Sequence, residues 1–203
     1  MLDEFLLLAV AHIFAVASPG ADFTVVLRNT LQSGKSIGIA TAVGIGLGIM
    51  IHVAYTLLGV ALLLSQSAVL FNLVKLTGAA YLLWLAYKSF QSRKSAAQSE
   101  EITINTEISL ANAVKQGFIV NVLNPKVTIF FVALFASVVS PQTPIWIQFI
   151  YGLWLSLYTM VWFTFVAWAF SRERLLNWYR GNGHLIDWAM GIVLCVIAVR
   201  LLF

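Results

Sequence analysis

The segment "VASPGADFTVV" (Val16–Val26) sets Ser18, Pro19, Gly20 and Asp22 inside an otherwise apolar run. Far downstream, "VNVLNPKVTIFF" sets Asn121, Asn124, Pro125 and Lys126 in a comparable run. Ser and Asn are preferred helix N-caps and proline is favoured at the first helical position, so each Ser-Pro or Asn-Pro pair is able to end one half-helix and start another. Proline has no N–H and clashes with the carbonyl four residues back, so free carbonyls are expected before each break and free N–H groups after it. In lipid such groups are tolerated only where protein or a water-filled cavity satisfies them. Asp22 lies one turn past the first break and Lys126 directly follows the second. Charged residues within apolar spans mark a functional site by default. A carboxylate suits helix N-terminal N–H groups and Lys126, while an ammonium suits Asp22 and the freed carbonyls. The constellation fits a zwitterion, an amino-acid-like substrate held by Ser18, Gly20, Asp22, Asn121, Asn124 and Lys126. Asp22 is also the candidate proton carrier. An inorganic cation would leave Lys126 repulsive. The plainer reading is that Asp22 and Lys126 pair with each other and only hold helices together.

Other residues carry weaker signals. His52, deep in "GIGLGIMIH", is a candidate proton relay, though a lone histidine is more often a hydrogen-bonded packing residue. His12 is a weaker candidate for the same role. Gly44 and Gly48, like Gly34 and Gly38, have the spacing that lets helices approach closely. Tyr151, Trp154, Tyr158 and Trp162 form an aromatic stripe, for which packing is the default role and cation–π binding the alternative. HExxH, GxGD, serine–histidine and ATP-binding signatures are missing, so neither an intramembrane enzyme nor an ATP-driven pump is expected. A single cysteine, Cys195, rules out an intrachain disulfide and a thiolate cluster. No cofactor or metal is expected.

The elements that must position these residues are helices in a membrane. The chain has 203 residues, 61% hydrophobic and 10% charged, with mean hydropathy +0.91. Soluble domains carry about 25% charged residues. Six apolar runs lie near 5–27, 37–64, 68–88, 117–139, 145–170 and 185–203. A helical span takes about 20 apolar residues, and a barrel strand only about 10 that alternate. The polar stretch 91–116 reads as a loop between two three-helix halves. No cleavable signal is evident, since the start "MLDEF" is acidic. The net charge of +4 is better explained by an integral membrane protein, whose cytoplasmic loops collect Lys and Arg, than by nucleic-acid binding. Arg28, Lys35, Lys88, Arg93, Lys94, Lys115, Arg172, Arg174 and Arg180 flank three alternate connections, which the positive-inside rule places in the cytoplasm. Both termini are then outside. Three spans per half make span four run opposite to span one. Interrupted spans at matching positions in two halves point to a transporter binding site. Both prolines lie about eight residues from the cytoplasmic ends, roughly 12 Å at 1.5 Å per residue.

These same residues carry a family resemblance. "SPGADF" resembles the SPGPD-type motif of the LysE superfamily, in its RhtB-like (threonine/homoserine efflux) branch. "GFIVNVLNPKVTIFF" resembles that family's N-x-x-NPK segment, and "KLTGAAYLLWLAYKSF" its third-span pattern. The likeness spans the whole length; Ala21 departs from the proline common there. It implies export of amino acids or related metabolites, driven by the proton gradient.

The expectation is an all-α integral membrane protein of one domain, 1–203. Its six transmembrane helices would form two inverted three-helix repeats, about 1–90 and 117–203. Helices 1 and 4 would be broken at Pro19 and Pro125. Its partners would be a small amino-acid-like substrate, protons and the bilayer of the inner membrane, with a homodimer as an option. A membrane channel or a non-transporting assembly factor is the rival class. The topology has a direct check. In a Cys195→Ala background, a cysteine replacing Ser95 should resist an impermeant thiol reagent in intact cells and react after permeabilisation; labelling from outside would reverse the orientation.

Overall fold

The computed structural model describes residues 1–18, 20–66, 68–91, 108–140 and 142–202. Every regular element among them is an α-helix: α1 Leu2–Ala17, α2 Ala21–Ser33, α3 Lys35–Gln66, α4 Ala68–Phe90, α5 Leu110–Val122, α6 Pro125–Val138, α7 Ile145–Phe170 and α8 Glu173–Leu202. Among the described residues two stretches, Lys35–Gly59 and Ile145–Phe170, are long and apolar enough to cross a membrane unaided. The pair α1 and α2 is bent by 52° and the pair α5 and α6 by 57°. If each bent pair is one span, the number of such spans rises to four.

The membrane character is plainest on α7. Its outward side carries Trp146, Phe149, Leu153, Leu157, Val161 and Phe165, all exposed. These recur every three or four residues, so they form one stripe. In water such a patch would be a large apolar surface; in lipid it is ordinary. The opposite side is buried and sets small and polar groups, Gly152, Ser156 and Thr159, beside Tyr151, Leu155 and Phe163. Ser156 Oγ donates to Gly46 O at 2.6 Å, satisfying its hydroxyl within the bundle.

At the centre is α3, which packs most extensively on α5 and α7, while α4 packs on α8. Contacts fix the directions. Gly38 meets Ala167, Gly46 meets Met160, and Gly152 meets Val53, so α3 and α7 run antiparallel. Gly44 meets Val114 and Phe118, and Gly48 meets Asn121, so α3 and α5 run parallel. The α3–α5 joint is made of backbone. A Cβ at Gly44 would collide with the Val114 carbonyl, and one at Gly117 with the Thr41 carbonyl. Gly44 and Gly48 thus serve close packing. Gly34 does something else: it ends α2 at φ 90°, a left-handed conformation that disfavours side chains.

Polar contacts hold both ends of the α3–α7 pair. At one end Asn29 Nδ2 donates to Thr41 Oγ1 (2.8 Å) and to Gln116 Oε1 (2.9 Å), joining α2, α3 and α5. At the other, Thr143 Oγ1 donates to Glu4 Oε2 (2.9 Å) and Tyr151 OH to Met1 O (2.9 Å), tying the start of α1 to that of α7.

Two boundaries differ from the hydropathy reading. The expected loop 91–116 is shorter, because α5 begins at Leu110, where the Ser109 side chain accepts from Asn112 N; residues 92–107 of that loop lie outside the described residues. After α7 the polar run is helical from Glu173 onward. Hydropathy reports the solvent a segment prefers, not its backbone conformation.

The backbone joint makes a test. Gly117→Ala should cost about 1–3 kcal/mol through overpacking, read as a lowered unfolding midpoint in detergent. Gly59→Ala, where an added Cβ meets nothing within 4 Å, should leave the midpoint unchanged or raise it.

Candidate functional site

The two breaks differ in construction. At the second, Asn124 is the N-cap of α6, its side chain accepts from Lys126 N at 3.0 Å, and Pro125 takes the first turn. This is the arrangement expected of an Asn-Pro pair. At the first, Ser18 closes α1 and Gly20 is the N-cap of α2, with no side-chain cap. Ser18 was expected to cap the second half-helix, with Pro19 starting it. Pro19 itself lies outside the described residues. With Gly20 as the cap, the Ser18 carbonyl is left to accept from a side chain: Lys126 Nζ donates to it at 3.2 Å. The ammonium therefore crosses from the second break to the first. It also lies 3.6 Å from where a Cβ on Gly20 would be.

Asp22, 8% exposed, is gripped by two amides. Asn121 Nδ2 donates to Oδ2 at 2.9 Å and Asn124 Nδ2 to Oδ1 at 3.2 Å. Hydrogen bonds to an ionised group contribute about 1.5–3 kcal/mol each, which offsets part of the cost of burial. Among the described contacts, the carboxylate and the Lys126 ammonium each have protein partners other than one another. Among the described contacts no direct hydrogen bond joins the two charges.

Asn121 is positioned by the α3–α5 joint, since only a glycine at 48 leaves room for its side chain. Its carbonyl accepts from His52 Nε2 at 3.0 Å, and Tyr55 OH donates to His52 Nδ1 at 2.5 Å. His52 thus stands behind Asn121, one residue removed from Asp22. Asn121 Oδ1 has no hydrogen-bond partner among the described residues.

A cavity of about 40 Å³ opens where the breaks meet, lined by His12, Ser18, Gly20, Asp22, Asn124 and Lys126 together with apolar side chains. Asn121 and His52 are outside its lining. His12, the weaker histidine by sequence, is the one that borders it. The sequence signal was present, a histidine on the same helix as Ser18, but helical spacing alone does not say which histidine meets the other break. Thr159 and Phe163 of α7 also line the cavity. The aromatic stripe does not: Trp154 stacks on Tyr158 at 5.3 Å and meets Phe5 edge-on at 5.2 Å, which makes it packing. Among the described residues no group of three or more His, Cys, Asp or Glu is placed to hold a metal ion.

No solved structure matches the chain. Curated relatives do. An uncharacterized membrane protein of Escherichia coli K12 is 29% identical over 188 residues, covering 92% of this chain and 83% of that one. An uncharacterized membrane protein of Vibrio cholerae is 33% identical over 128 residues, 63% of this chain and 60% of that one. A threonine efflux protein of Escherichia coli K12 is 31% identical over 140 residues, 67% and 66% of the two chains. The last two matches therefore span less than two thirds of those relatives. The family model for the LysE type translocator matches residues 13–203, which takes in both breaks, all of α2 to α8 and every cavity-lining residue but His12. On that match the chain is a transporter rather than an enzyme, and it belongs to the LysE type translocator family.

Proposed function

We propose that the protein exports amino acids or closely related metabolites from the cytoplasm in exchange for protons, through the cavity between the two helix breaks. One observation carries the reading. A buried carboxylate and a part-buried ammonium line the same small cavity, and the hydrogen-bond partners described for each are neutral protein groups. A zwitterion brings the opposite charge to both. Its ammonium would replace the amides on Asp22 and its carboxylate would take Lys126 from Ser18 O. In the complementary state a proton on Asp22 replaces the substrate, which couples export to the gradient. The similarity to a threonine efflux protein supports an amino-acid cargo.

The inverted arrangement of six spans, with α1–α2 and α5–α6 as broken spans, is part of the same proposal. Antiparallel α3 and α7 support it. So do the polar ties at the two ends. One joins the end of α2 to α3 and α5; the other joins the segment between α6 and α7 to α1. Exchanging the two halves turns each set of elements into the other. The orientation has similar support. Arg28, Lys35, Lys115 and Arg172 gather at the end held by Asn29, while Asp3 and Glu4 mark the other. Under the positive-inside rule the basic end faces the cytoplasm and Met1 the outside of the inner membrane.

The double-mutant comparison tests the mechanism. Asp22→Asn should insert at normal abundance, and its proton-driven flux in proteoliposomes should fall about 10- to 150-fold, the equivalent of one ~1.5–3 kcal/mol charged hydrogen bond. Adding Lys126→Met should leave flux low. If Asp22 served only to neutralise Lys126, the single variant would be strongly destabilised by its unpaired ammonium and the second change would restore both abundance and flux. Normal flux from Asp22→Asn removes that residue from the mechanism.

A further inference from the structure

His12 is 1% exposed and its ring is fixed on one side. Nε2 lies 3.1 Å from Leu155 O and 2.8 Å from Thr159 Oγ1, both on α7. A backbone carbonyl only accepts, so Nε2 carries the hydrogen. In the uncharged ring Nδ1 is then a lone-pair acceptor. That atom is buried and has no hydrogen-bond partner among the described residues. Buried polar atoms without a partner are rare in folded proteins and point to an absent water or ligand. Among the described residues no donor lies within hydrogen-bonding reach of Nδ1; the ring is bordered by Phe131 at 5.8 Å, Tyr158 at 6.0 Å and Phe130 at 6.2 Å, as ring-centre separations. Swinging the ring away would forfeit both α7 contacts.

His12 borders the same cavity as Ser18, Asp22 and Lys126. Along α1 it stands six residues before Ser18, roughly 9 Å at 1.5 Å per residue, towards the Glu4 end. Between the two lie apolar lining residues, Ala15 and Val16, faced by Ile49 and Phe130. The cavity thus has a charged pole and an apolar waist, with His12 bordering it beyond the waist. We propose that His12 is the specificity-determining residue: its Nδ1 accepts a hydrogen bond from a donor on the side chain of the bound amino acid. This rests on the cavity being the amino-acid site. The favoured substrates are amino acids whose side chain is an apolar stem carrying a hydroxyl, amide or amino donor. A site whose buried acceptor expects a donor discriminates strongly against an analogue that lacks one, because binding then leaves the acceptor unpaired.

The experiment compares near-isosteric pairs of increasing reach, threonine with valine, glutamine with methionine and lysine with norleucine. Each is measured as counterflow in proteoliposomes containing the full-length protein. The wild type should favour the donor-bearing member by at least ~10-fold in the pair whose length matches the span to His12. In His12→Gln, which keeps an N–H for Leu155 O but places no acceptor at the Nδ1 position, that ratio should drop to within about threefold. A wild type that transports without preference in any pair, or a preference that survives His12→Gln, overturns the role of His12 and leaves the cavity reading standing. A wild type that moves none of the six compounds overturns both. If His12→Gln does not insert, the ¹⁵N resonance of His12 Nδ1 in the wild type, distinguished from those of His52 and His184, decides. It should shift on adding the preferred donor-bearing compound and stay fixed with its apolar counterpart; an unmoved resonance overturns the proposal.

Discussion

A carboxylate sealed among apolar helices must be met by donors, and much of the middle of this bundle follows from how Asp22 is met. Two asparagine amides reach it, one from the last turn of α5 and one from the start of α6. For both to arrive, the chain has to turn between Val122 and Pro125, and α5 has to lie against α3. Asn124 has a double duty. Its oxygen caps α6 while its nitrogen holds Asp22. The amide cannot rotate to serve one role without losing the other, so the start of α6 and the environment of the carboxylate change together. Lys126 follows directly on that cap, and its ammonium reaches back to the Ser18 carbonyl. The two breaks are therefore tied by polar bonds in both directions, and the cavity is the space those bonds leave.

Much of this was legible from residue types. Polar residues followed by proline, each near a charge, pointed to two helix interruptions that face one another. The apolar runs pointed to helices in lipid. What could not be read was the pairing. Asp22 and Lys126 are opposite in sign and their sequence contexts match, which suggests a salt bridge. Yet neutral groups stand closer to each of them. The sequence contains no term for that choice, because it depends on α5 lying parallel to α3 with Asn121 turned inward. The two histidines show the same limit. His52 lies deeper in its span and looks more central, but the α3–α5 contact turns it behind Asn121, whereas α7 draws His12 to the cavity edge. The first break also departed from expectation, since Gly20 took the cap that Ser18 was expected to supply.

Large apolar side chains occupy both sides of α7: Trp146, Phe149 and Phe165 face outward, while Tyr151, Leu155 and Phe163 are buried beside Gly152, Ser156 and Thr159. Lipid offers no hydrophobic force to press helices together, so contact relies on close packing and on hydrogen bonds that have no competing water. Ser156 bonding to a carbonyl of α3, and Thr159 meeting His12, are bonds of that kind.

The joint between Gly44 and Gly117 carries a consequence for how such a chain can vary. In most cores, a side chain that grows on one helix is accommodated when its neighbour shrinks. Here what each glycine would meet is the other helix's backbone, at Val114 and Phe118 for Gly44 and at Thr41 and Ile45 for Gly117. Nothing smaller is available on either side. A mutation at this joint has no compensating partner at the point of contact, and the only repair there is reversion. Drift in the chain is free to reshape the lipid-facing stripe, where side chains meet only solvent hydrocarbon, while these two positions stay outside the reach of covariation.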